Sequence, residues 1–422
     1  MTTSIQTHQQ QWMPPERPEW VQRINDEGRC MNIRSVVPLD ERSLIEAAVR
    51  STGLSDFGLD EWREPFAIFL KALDDEAELN LLGRLRTRSE ILLLLEARLQ
   101  IEEAYKRHPE IDEEQITQPL IIVGQGRSGT TYLQAVLGAH PDNGVLMHWE
   151  QMFPCPPPEA ATYATDVRIE KAAKLIGQWN RVTPTLPAIY DFSADVPFED
   201  CCIMAIDFMS PSWLGMQGQI PSYDAWFFQQ DLEATFRYHQ RILKLLQWRN
   251  PRTRWVLKDP MHLDRFVPIL KVYPDACFIW PHRDPVWALA SMVDAMGTLQ
   301  WGRSDEPFRG GSLDFVTNPH VVANRLNAVI DAIDAGVVPE RQLLNLQFGD
   351  LVSKPIESVT TIYDYFGIPL SSEAVNAMQH FVDTHPRDAR PRHRFNPGTP
   401  EAADVARDAF ARYQQRFGVT TE

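Results

Sequence analysis

The sequence predicts a three-layer α/β protein: a central parallel sheet flanked by helices, preceded by a helical region. Two observations carry this. The run Leu120, Ile121, Ile122, Val123 is short, apolar and uninterrupted, which suits a strand buried on both faces. Further apolar runs at 254–257, 276–281 and 342–348 alternate with helical patterns at 263–273, 285–297, 319–335 and 355–366. Alternation of strand and helix implies right-handed crossovers and a parallel sheet.

The stretch after the first strand organises the rest. Gly124, Gly126 and Gly129 break the apolar run, and a helix with Leu133, Val136 and Leu137 on one side starts at Thr130. His140-Pro141-Asp142 ends it. Strand, glycine loop and helix together form a cradle in which loop amides and the helix N-terminus favour an anion. The fold is therefore P-loop-like. A nucleoside-triphosphate loop reads G-x-x-x-x-G-K-[ST]. Here Gly124, Gly129 and Thr131 keep that spacing, Thr130 stands at the lysine position, and the nearest cation is Arg127.

The loop Arg127-Ser128-Gly129-Thr130-Thr131, followed by the aromatic Tyr132, resembles the 5′-phosphosulfate-binding loop of sulfotransferases that use 3′-phosphoadenylyl sulfate (PAPS). It is most similar to bacterial sulfotransferases related to the tyrosylprotein enzymes. The resemblance covers roughly 118–422. It implies transfer of a sulfuryl group from PAPS to the hydroxyl of a small-molecule acceptor, an alcohol or a phenol. The product nucleotide is adenosine 3′,5′-bisphosphate (PAP), and no metal is expected.

Other motifs fit. His282-Arg283-Asp284-Pro285, with Ser291 eight residues after the arginine, resembles the family's 3′-phosphate motif. Arginine offers a planar fork to a phosphate monoester, and a helical serine adds a neutral hydrogen bond. Trp255-Val256-Leu257-Lys258-Asp259-Pro260 resembles the segment that carries the catalytic lysine. A fixed ammonium there would stabilise charge on the leaving oxygen. Tyr132 and Phe348 stand where the family has aromatics beside the nucleotide. Arg392 and Arg394, in a cluster with Arg387 and Arg390, resemble the basic segment that closes over it. The resemblance puts the general base at Glu150. His148 and His262 are rivals, and His262 follows Lys258 by four residues.

Composition limits the alternatives. The 422 residues carry a formal net charge of −16, which disfavours nucleic acid or an anionic membrane as partner. No apolar run is long enough to span a bilayer. Cys30, Cys155, Cys201, Cys202 and Cys277 are few and in no metal-ligand spacing, which implies a reduced, cytoplasmic protein. Residues 1–117 read as an arm, to about residue 35, and a helical region over 40–105. Those helices would pack on the main domain or on a second subunit, as in a homodimer. Residues 118–422 read as the catalytic domain. Within it, 151–250 forms an acceptor-pocket or lid insertion, rich in Pro and aromatics up to 225 and helical over 225–248. A final helix covers 401–417. Two other functions fit the same loop: a P-loop-type kinase, or a non-catalytic protein with a degenerate nucleotide site.

Overall fold

The computed structural model describes residues 12–386, 395 and 400–422, the last without the side chains of 400–402. Five parallel strands form one sheet in the order β2-β3-β1-β4-β5. They are β1 (Leu120–Ile122), β2 (Asn143–Val145), β3 (Arg254–Lys258), β4 (Cys277–His282) and β5 (Leu343–Gln347). Register pairs Ile122 with Lys258 on one side and with Ile279 on the other. The ends of β3, β1 and β4 therefore lie side by side. Ligands of such sheets bind beyond these carboxyl ends.

The four expected strands are present, and β2 is an addition. Its three residues, Asn-Gly-Val, pair only with β3 at the sheet edge. They carry too little apolar pattern to be read as a strand. The central strands are buried over their whole length, as near-continuous apolar runs require.

Helices cover both faces. Thr130–Gly138 follows β1, and Pro285–Trp301 follows β4. Asp284 caps the latter through the Val286 N–H at 2.9 Å, with Pro285 in its first turn. The pattern at 225–248 forms two helices, Pro221–Phe227 and Glu233–Gln247. Asp231 breaks it by accepting the Glu233 N–H at 3.0 Å. Residues 151–225 were expected to be irregular or short-helical. They also contain the 16-residue helix Val167–Val182, which starts at the Asp166 cap.

The leading residues are held more tightly than an arm would be. Trp12 donates its indole N–H to Asp294 at 3.1 Å, and Arg17 lies 3.5 Å from the centre of the Trp301 ring. The helices Arg63–Asp75 and Leu81–Arg107 pack against the rest of the chain. Trp62, Phe66 and Phe69 surround Phe208, and Arg98 pairs with Asp207. Among the described residues no helix is long and apolar enough to cross a membrane.

Candidate active site

The loop after β1 is shaped by its glycines and by one strained residue. Gly129 takes φ +88°, and a side chain there would press on the Phe348 ring at 3.0 Å. At Gly126 a Cβ would collide with Met292 Cε at 2.0 Å. Arg127 itself sits at φ +72°, a conformation that costs a non-glycine residue energy and is typical of functional loops. Ser128 Oγ closes the turn on the Gln125 carbonyl at 2.7 Å.

Arg127, Arg283 and Ser291 lie together, with Arg127 between the other two. Arg127 Nε donates to Ser291 Oγ at 2.9 Å, and Nη1 donates to the Ile189 carbonyl at 3.0 Å. Arg283 Nη1 donates to the Arg127 carbonyl at 2.8 Å. Its guanidinium lies 4.3 Å from the centre of the Phe348 ring. The glycine loop and the helix after β4 are thus wired into one basic site. Tyr132 is half-buried in the helix after β1, and Thr131 is exposed. Arg392 and Arg394 lie outside the described residues. Phe395 packs edge-on against Trp287 with ring centres 5.4 Å apart.

Lys258 closes the site from the β3 side. Its Nζ is 2.6 Å from Glu199 Oε1 and 3.4 Å from Thr131 Oγ1. The side chain is nearly buried, so the ammonium is fixed and aimed at the loop helix. What fixes it is Asp200. Asp200 Oδ1 accepts the Lys258 N–H at 2.9 Å, and the Asp200 N–H returns to the Lys258 carbonyl at 3.2 Å. Asp200 Oδ2 is bonded by His262 Nε2 at 2.6 Å and by His239 Nε2 at 3.0 Å. Tyr273 Oη completes the chain at His239 Nδ1, 2.8 Å away.

The electrostatics of this chain follow from burial and pairing. Burial alone would raise the Asp200 carboxyl, but His262 and His239 outweigh it and hold the group well below the usual carboxylate range. Burial alone would lower His262, but Asp200 reverses that and raises it. His239 is lowered, chiefly by burial. The Asp200 carboxylate thus favours the charged form of His262 over that of His239. Burial pushes Asp259 up to about 7.

Glu150 and the two rival histidines are placed differently from expectation. Glu150 is fully buried. Its Oε2 accepts the Met147 N–H at 2.9 Å, and its Oε1 is bonded by Arg252. It caps its own helix, His148–Met152, and ties the edge strand to Arg252, so both oxygens are occupied by structural partners. His148 is also fully buried, stacked 4.1 Å from Phe198, and burial pushes it down to about 4. His262 stands behind Lys258 and holds Asp200. The carboxylate at Lys258 is Glu199, which sequence reasoning passed over. Its only signal was the adjacent pair Glu199-Asp200 at the end of an aromatic, Pro-rich stretch. Glu199, Cys201 and Asp259 also place donor atoms within 4.8 Å of one another, close enough to share a cation. Lys258 already supplies positive charge to that group.

A strained glycine loop, a helix N-terminus and two converging arginines thus meet at the end of a parallel sheet. The comparisons name the family. The profile of the sulfotransferase family matches residues 119–372, and the chain belongs to that family. It is a sulfotransferase, an enzyme of sulfuryl transfer. The chain is similar in structure to sulfotransferase STF9 from Mycobacterium avium. The two share 25% identity with a TM-score of 0.77, over 90% of this chain and 97% of that one. For sulfotransferase STF1 from Mycobacterium tuberculosis H37Rv the values are 27% and 0.71, over 88% and 98%. A search of the curated proteins found no match.

Proposed function

We propose that this enzyme takes its sulfuryl group from PAPS and passes it to a hydroxyl of a small molecule, releasing PAP. The observation that carries the reading is the position of Lys258 Nζ, bonded to Glu199 and within 3.4 Å of Thr131 on the loop helix. It puts a fixed cation and a carboxylate together at the anion cradle.

The donor set suits a nucleotide with phosphate groups at both ends. Arg127, Ser128, Gly129, Thr130 and Thr131 surround the cradle for the 5′-phosphosulfate. Arg283 presents a fork to the 3′-phosphate, with Ser291 beside it. Phe348 and Tyr132 offer aromatic surface to the adenine. PAPS supplies an activated sulfuryl group on a phosphate leaving group. The protein's own part is positioning and charge. Glu199 accepts the proton of the acceptor hydroxyl as the new S–O bond forms. Lys258 donates to the bridging oxygen as the old S–O bond breaks, where negative charge develops. In the resting pair the ammonium masks the carboxylate. A Lys258 turned toward the leaving oxygen leaves Glu199 free as the base.

The acceptor side is built by the aromatic segment around Glu199. Phe198 precedes it and packs with His148, Phe192 and Trp213. Beyond them is a cavity lined by Trp179, Trp213, Cys202, His148 and Gln151. His148 Nε2 and both amide atoms of Gln151 have no hydrogen-bond partner among the described residues. Such a wall suits an aryl or alkyl hydroxyl compound carrying a second polar group. The free thiols fit a reducing, cytoplasmic setting.

The test is PAP release from PAPS in the presence of a mixture of phenols and alcohols, with chelator present. Release of PAP matched mole for mole by sulfated acceptor is expected. PAP release no faster than in an enzyme-free blank, or phosphorylated acceptor formed from ATP, would contradict the reading.

A further inference from the structure

We infer that Glu422 is an internal competitor of the nucleotide: its carboxylate fills the arginine fork that would hold the 3′-phosphate. This rests on the assignment of Arg283 proposed above. Arg283 Nε donates to Glu422 Oε1 at 2.7 Å, and Nη2 donates to Oε2 at 2.8 Å. Two parallel N–H···O bonds are the bidentate geometry that a guanidinium offers equally to a carboxylate and to a phosphate. The backbone of the same residue is held too. Trp287 Nε1 donates to the Glu422 carbonyl at 2.8 Å, and the Glu422 N–H donates to Asp284 Oδ2 at 2.9 Å. All three partners, Arg283, Asp284 and Trp287, belong to the motif that follows β4.

The segment is delivered there by its anchors. Phe417 stacks on His282 at 4.1 Å, and Tyr413 Oη lies 2.9 Å from His282 Nδ1. Gln347 holds the Phe417 carbonyl at 2.8 Å. Gly418, at φ +64°, then turns the chain, and Val419 is buried with its N–H on the Gln414 carbonyl. Four residues after the turn, Glu422 meets Arg283. Meanwhile Arg283 Nη1 stays on the Arg127 carbonyl, so the fork keeps its orientation whichever anion it holds.

The competition has a predictable size. A carboxylate carries one charge, while a phosphate monoester carries nearly two and the nucleotide gains further contacts in the loop. PAP therefore displaces Glu422, at an apparent affinity reduced by the fraction of molecules whose fork is free. The pair is partly exposed, at 20% for the Arg283 side chain and 36% for that of Glu422, which keeps the effect moderate.

The experiment is calorimetric titration of the full chain with PAP and with ADP, which lacks the 3′-phosphate. Glu422→Gln and Glu422→Ala are expected to bind PAP about tenfold more tightly than the wild type, with ADP unchanged. In an Arg283→Ala background the gain should vanish, which a general loosening of the segment would not produce. Unchanged or weaker PAP binding by Glu422→Gln, or a gain that survives Arg283→Ala, would overturn the inference while leaving the PAPS reading intact. If the wild type and both variants fail to bind PAP at all, the nucleotide assignment itself falls, and the competitor with it.

Discussion

Lys258→Met is expected to lower turnover by about 10²–10³-fold while PAP affinity stays within a few-fold. The ammonium is held beside the loop helix by Glu199, Thr131 and the Asp200 clamp on its backbone, so only its tip turns to meet charge on the leaving oxygen. An interaction realised mainly as that charge develops appears in kcat rather than in ground-state binding. Methionine keeps the buried stem packed and removes only the charge. Glu199 then loses its partner, which works against a polyanionic nucleotide. The double variant Lys258→Met, Glu199→Gln should recover PAP binding but not turnover. Loss of activity in step with loss of PAP binding in both variants would make Lys258 a structural residue.

Glu199→Gln is expected to lower turnover by about 10²–10⁴-fold, the usual contribution of a positioned general base. PAP binding should hold or improve, because a negative charge beside the nucleotide is gone. Glu150→Gln should behave in the opposite way. Its carboxylate is fully buried against Arg252, and leaving that guanidinium unpaired costs on the order of 3–5 kcal/mol of stability. The folded fraction should nevertheless turn over at a near wild-type rate. Urea melts and steady-state kinetics on both variants separate the two roles. A folded Glu150→Gln without activity, beside a Glu199→Gln near wild type, would return the base to Glu150.

The contrast between these glutamates shows what a linear chain can and cannot convey. The positions of the loop, Lys258 and Arg283 at strand ends were legible: the loop and Arg283 follow β1 and β4, and Lys258 is the last residue of β3. A strand end in a parallel sheet is a position that sequence order alone specifies. Ser291 was legible because it shares a helix with the end of that motif, although in the structure its hydroxyl engages Arg127. The surroundings of Glu150 were not legible, because its motif looks catalytic while its partner, Arg252, is about a hundred residues away. Nothing in His148-Trp149-Glu150 announces that both oxygens are taken. Glu199, Asp200 and His239 were missed for the converse reason. They lie in a segment without strand periodicity, and only folding sets Asp200 between His239, His262 and the backbone of Lys258. The helix Val167–Val182 could have been found, since Arg168, Ala172, Ile176 and Trp179 recur at helical spacing. Glu422 could not. Its meeting with Arg283 depends on the turn at Gly418 and on the stacking of Phe417.

The central property proposed for the site is that the loop and Arg283 together bind an adenine nucleotide phosphorylated at both ends. The measurement is titration of the wild type and of Arg283→Ala with PAP and with ADP, under chelator. The wild type should bind PAP about 10–100-fold more tightly than ADP, the range expected for a charge-assisted fork, and Arg283→Ala should bring the two ligands to similar affinity by weakening PAP alone. Equal binding of PAP and ADP by the wild type, or equal weakening of both by Arg283→Ala, would contradict it.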